Sequence, residues 1–198
     1  MDFEAFTAGL EPGGLRNTRD IGILICYMLT RINKPFSSEE LVQIIHLNGM
    51  ANFFDTMASV TELIKCNNIR KTDENTNLIE ITDNGRLISQ QLSSELSLSV
   101  RQKAIAAIMK LTERKQIEKE NPVNISKNEN GGFDVNIRIT DGLRDLMSLT
   151  IFVPNLTDAN AVKNKFYDNP QRLYSIMLAA VTGDNKMLEE EIEENENE

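Results

Sequence analysis

The sequence predicts an α+β chain in which helices come first and an antiparallel sheet follows. Three observations carry this. Apolar residues recur at helical spacing through residue 66; a brief alternation interrupts at residues 69–82; a sustained alternation occupies 123–153, divided by Gly131-Gly132 and Asp141-Gly142. The 198 residues allow one domain or two small ones.

The first helix is expected from about Arg19 to Ile32, with Ile21, Leu24, Ile25, Met28, Leu29 and Ile32 on one face and Lys34-Pro35 ending it. Ser37 as N-cap with Glu40 three residues on forms a capping box for a short second helix, which Asn48-Gly49 closes. A third helix spans about Ala51 to Cys66, with Phe53, Phe54, Met57, Val60, Leu63 and Ile64 as its apolar stripe. Ile69–Thr72 and Leu78–Thr82 then pair as a hairpin around a polar loop, and a further helix opens near Arg86. Helix, helix, turn, helix, hairpin is the order of a winged helix-turn-helix, expected over residues 16–95. A linker or dimerisation helix follows over 96–120, with Val100, Ala104, Ile105, Ile108 and Leu111 inward. Residues 121–183 are expected to be an α+β C-terminal domain, a small antiparallel three-stranded sheet with two helices. Asn169-Pro170 starts the second of these helices.

Charge is uneven along the chain. Of the net −9, residues 1–95 contribute −5, residues 96–154 +2 and residues 155–198 −6. From Asp184 onward eight acids face one base, so 184–198 is expected to be a disordered acidic tail that can be deleted without loss of fold. Most of the acidity belongs to that tail and argues little against a nucleic-acid partner. No apolar run approaches the roughly 20 residues of a membrane span, and Met1-Asp2-Phe3-Glu4 is acidic where an export signal is basic. Cys26 and Cys66 fall in helical patterns without C-x-x-C spacing. The expectation is a cytoplasmic protein with reduced thiols and no membrane association.

Several stretches resemble the bacterial domain-of-unknown-function family 4364. They are Asp20-Ile21-Gly22-Ile23-Leu24-Ile25-Cys26-Tyr27-Met28-Leu29, Asn52-Phe53-Phe54, Ile81-Thr82-Asp83-Asn84-Gly85, Leu98-Ser99-Val100-Arg101 and Asn164-Lys165-Phe166. The resemblance they carry extends over about residues 8–183. The resemblance implies a winged-helix fold and a regulatory role; it brings no ligand, operator or catalytic residue with it.

Of the elements expected, residues 51–66 would be the reading helix. Its polar face consists of Asn52, Asp55, Thr56, Ser59 and Glu62, with Lys65 near the end. Asn52, Thr56, Ser59 and Lys65 are candidate DNA contacts, joined by Arg70 and Lys71 on the wing and by Arg16, Arg19 and Arg86 near it. Asp55 and Glu62 would repel a phosphate backbone, as would Asp73 and Glu74 at the wing tip. The same polar face equally suits a solvated surface on a fold used for protein contacts. Residues 101–119 add a basic face, +4 overall.

Catalysis is not expected. His46 is the single histidine, Gly13-Gly14 and Gly131-Gly132 lack the spacing of phosphate-binding loops, and the clustered carboxylates lie in the tail. No cofactor or metal is implied. The function expected is that of a transcription-regulator-like homodimer contacting double-stranded DNA, dimerised through the helix near Ser97 or the two C-terminal helices. An unidentified small-molecule effector in the α+β part is a further expected partner. The alternative is a winged-helix protein–protein interaction module that binds no DNA.

Overall fold

The computed structural model describes residues 14–73 and 76–193. Met1–Glu4, Gly13, Glu74 and residues 194–198 of the expected tail lie outside the described residues. The fold is α+β, and two compact units divide within one helix, between Lys110 and Leu111. The helix expected as a separate linker is thus shared between the units.

In the first unit, α1 (Thr18–Ile32) is the central element, and Ile21 through Leu29 are all buried. Asn17 caps it by accepting from the Asp20 N–H at 3.1 Å, and Asn33 ends it in the left-handed region at φ 48°. A two-residue strand, β1 (Phe36–Ser37), then precedes α2 (Ser38–Leu47). The Ser37 hydroxyl accepts from the Glu40 N–H at 3.3 Å, as the capping pattern predicts. Next come α3 (Phe53–Lys65), β2 (Ile69–Lys71), β3 (Leu78–Ile81) and α4 (Asp83–Leu92). The expected hairpin gains β1 as a third strand. The order is β1-β3-β2, all antiparallel, with Phe36 opposite Ile79 and Ile69 opposite Ile81.

Thr82 fastens the ribbon to α4. Its hydroxyl donates to the Asn67 and Asn68 carbonyls, both at 2.8 Å, and accepts from the Gly85 N–H at 3.3 Å. After a turn of 3-10 helix at Ser93–Glu95, α5 (Leu98–Glu120) begins. It buries Val100, Ala104, Ala107 and Ile108, whereas the expected core residue Ile105 is 36% exposed. Alanine, with no side chain beyond Cβ, occupies the inner position instead.

The second unit is built on the meander β4 (Val123–Lys127), β5 (Phe133–Thr140) and β6 (Asp145–Val153). Val135, Ile137, Ile139 and Val153 form the inner face, packed with Ala159, Phe166 and Tyr167 of α6 (Leu156–Asp168). Leu173 and Tyr174 of α7 (Pro170–Thr182) join this core, with Pro170 at the helix start. Arg114 ties α5 to α6, donating to the Asn164 carbonyl and to Asp168, each at 3.4 Å, and lying 4.7 Å from the Tyr167 ring centre.

The acidic tail is not wholly without structure. Residues Asn185–Glu193 form α8, where the Asp184 carboxylate accepts from the Met187 N–H and Lys186 lies 3.8 Å from Glu190 one turn on. A capping carboxylate and an i, i+4 pair offset the self-repulsion of the run.

Candidate nucleic-acid interface

Of the candidate residues on and before α3, Asn52, Thr56 and Ser59 are buried and Lys65 is exposed. Asn52 is spent as the N-cap, accepting from the Phe54 N–H at 2.8 Å. Thr56 is 0% exposed and donates to the Asn52 carbonyl at 2.7 Å. Ser59 is 1% exposed and donates to the Asp55 carbonyl at 2.8 Å and to the Thr18 carbonyl at 3.4 Å. These hydroxyls bond one turn back along their own helix, so they can be buried without an unmet polar group. They lie on the same buried side as Val60 and Leu63.

With that side inward, α3 turns Phe54, Asp55, Met57, Ala58, Thr61, Glu62 and Lys65 to solvent. Phe54 is 77% exposed and Met57 50%, although hydropathy places both in the apolar stripe. At the end of α2, Leu47 is 79% exposed. The rings of His46, Phe53 and Phe54 run edge to face from α2 into α3, with centres 6.0 and 5.7 Å apart. One signal in the sequence points here. Adjacent residues on a helix lie about 100° apart, so Phe53 and Phe54 cannot both face the core squarely.

Most candidate cations are engaged within the protein. Lys65 lies 3.6 Å from Glu62, and Arg70 pairs with Glu80 across the ribbon at 2.6 Å. Arg19 grips both oxygens of Glu95, at 2.6 and 3.2 Å. That fork raises the Arg19 pKa and lowers that of Glu95, the hydrogen bond being the larger cause in each. Arg86 donates to the Asn33 side chain at 2.8 Å. Arg16 and Lys71 are exposed. Arg70 and Arg86 come together in a groove of about 500 Å³ shared with Glu80 and Asp83, and Arg19 and Ser59 line a second, smaller one. Two arginines against two carboxylates give the first groove no net formal charge. Exposed α3 itself carries Asp55 and Glu62 against Lys65, a net −1.

Among the described residues no group of three or more histidine, cysteine or acidic side chains is placed to hold a metal ion, and no helix is long and apolar enough to cross a membrane. Cys26 is buried, and burial pushes its thiol up to about 12; Cys66 is exposed.

No curated protein and no solved structure matches the chain. A family model does, over residues 21–181, which takes in every element from α1 into α7 and so both units. The chain therefore belongs to the family described as a domain of unknown function, DUF4364.

Proposed function

We propose that residues 16–95 form a winged helix-turn-helix that binds a protein partner through the solvent face of α3 and the end of α2. The order α1, β1, α2, α3, β2, β3, with a three-stranded antiparallel ribbon, supports the winged reading. The observation that carries the protein-binding reading is the rotation of α3. It presents Phe54 and Met57 where a DNA-reading helix presents donors, and it buries Thr56 and Ser59. Aromatic and methionine side chains rimmed by charge are the composition of a protein interface core. Asp55 and Glu62 at the rim select a partner with basic residues around an apolar centre. Fully burying a phenylalanine side chain contributes about 1.5–3 kcal/mol, or roughly tenfold to a hundredfold in affinity.

The test places a photo-crosslinking phenylalanine analogue at position 54 in the full chain, identifies the captured protein, and repeats binding with purified components. Phe54→Ser and Met57→Ser should each weaken that binding at least tenfold. In parallel, duplex fragments of genomic DNA are selected on the parent chain. Enrichment of one fragment, with binding that weakens on Arg16→Ala or Lys71→Ala and is indifferent to Phe54→Ser, would replace this reading with operator recognition.

A further inference from the structure

The two edges of the C-terminal sheet are unlike. The edge strand β4 is five residues long, follows Pro122 and ends at Lys127, all features that discourage a further strand from pairing. The opposite edge, β6, is nine residues long; Asp145 opens it and Pro154 follows it, but no charged residue or proline lies in the eight residues from Leu146 to Val153. Its inward side chains Met147, Leu149 and Ile151 are half-buried, whereas Val135, Ile137 and Ile139 beside them on β5 are buried. Phe152 on the other face is 58% exposed. An unguarded edge of this length, with apolar residues on both faces, is a template for strand addition.

We propose that β6 pairs with β6 of a second copy, antiparallel about Leu149, to make one continuous six-stranded sheet. The strand's own pattern selects a second copy as the occupant. A register irregularity lies between Ile139 and Thr140, so regular pairing with β5 runs from Met147 to Val153. Within that stretch, antiparallel pairing about Leu149 sets Met147 opposite Ile151 on the inner face, Ser148 opposite Thr150 on the outer, and Leu149 opposite itself. From Met147 to Ile151 like meets like and no charge is brought to the seam; beyond them Leu146 meets Phe152, and Asp145 meets Val153 at each end. A two-fold axis demands this kind of self-complementarity. The half-buried inner row of each copy is thereby covered by the same row of the other. Nothing in this pairing depends on the partner of α3.

Sedimentation equilibrium of the full chain should give twice the 22.4 kDa chain mass at micromolar concentration. The double variant Ser148→Glu, Thr150→Glu should sediment as the single chain with an unchanged circular-dichroism spectrum. Arg138, opposite Ser148 on β5, suits the first new carboxylate within one copy, while four carboxylates would crowd the two-fold axis. Leu149→Cys in a Cys66→Ser background should oxidise to a covalent dimer, because only this register brings position 149 against itself within disulfide reach. A parent chain that stays single at 100 µM would overturn the proposal. So would a dimer that survives the double variant and leaves the position-149 thiols unlinked.

Discussion

Gly85 and Gly22 should respond oppositely to the same methyl group. A Cβ added at Gly85 would stand 2.2 Å from the Asn68 carbonyl oxygen and 2.4 Å from Ile81 Cδ1. Restoring ordinary contact, at 3.4 Å or more, means moving a backbone carbonyl by over an ångström. That carbonyl cannot yield cheaply, because it accepts from both the N–H and the hydroxyl of Thr82, at 3.2 and 2.8 Å. Overpacking of this kind costs about 1–3 kcal/mol, and loosening the Thr82 bonds adds about 1 kcal/mol. Gly85→Ala is therefore expected to cost about 3 kcal/mol. At Gly22, inside α1, the new methyl would meet only Leu63 Cδ2 at 3.7 Å, an ordinary contact. Here the helical gain of alanine over glycine, about 0.5–1 kcal/mol, should show.

For a unit of this size 1 kcal/mol shifts the melting temperature by about 4–8 °C. Gly85→Ala should thus lose roughly 12–24 °C and Gly22→Ala gain roughly 2–8 °C. Because the chain has two units, unfolding is followed locally, by alkylation of the buried Cys26 in a Cys66→Ser background. Equal shifts of one sign, or a Gly85→Ala variant within about 0.5 kcal/mol of the parent, would refute the steric account.

Three further outcomes are expected. Arg114→Ala should destabilise the second unit by about 1.5–3 kcal/mol through loss of charge-assisted bonds to Glu118, Asp168 and Asn164, and Arg114→Lys should recover less than half, since an ammonium has no fork; urea unfolding monitored by tyrosine fluorescence, to which Tyr167 and Tyr174 of that unit contribute, checks both. Glu95 has its pKa lowered from 4.5 by Arg19, so its contribution is present above that value and is lost as pH falls through the folded one; the gap in urea midpoint between parent and Glu95→Gln should therefore close in acid and stay open at neutral pH. In the native protein a thiol reagent should label Cys66 quickly and Cys26 only on unfolding, which mass spectrometry of the peptides decides.

The elements themselves are largely legible in the sequence. The cap at Ser37, the break at Lys34-Pro35 and the Gly-rich turns are local chemistry, and each lies where the sequence puts it. The strand at Phe36–Ser37 is not legible, since two residues carry no period and the partner Leu78–Ile79 is some forty residues away. Nor is the helix at 185–193, where composition argues for solvation and one cap with one i, i+4 pair argues otherwise. The candidate cations illustrate a different limit. Arg19 and Glu95 are 76 residues apart, and Arg86 and Asn33 are 53 apart. Nothing in the linear sequence tells an arginine available to phosphate from one already satisfied at that distance.

The face of α3 is where hydropathy and packing disagree. Hydropathy ranks Phe54 and Met57 above Thr56 and Ser59, and a stripe drawn from hydropathy alone puts the aromatics inside. Packing against α1 has another requirement. Ser59 approaches the Thr18 carbonyl, and a polar side chain on this side of α3 must be able to donate its own hydrogen bond to be buried there. Thr56 and Ser59 satisfy that condition. Exposure of Phe54 is thus a consequence of how α3 seats on α1, held by a core that Phe54 does not enter. Removing its ring should therefore leave stability within about 0.5 kcal/mol, as for other surface changes, while removing the apolar centre of the proposed protein-binding face. A large loss of stability on Phe54→Ser would mean that the ring is buried after all, and the protein-binding reading would lose the observation on which it stands.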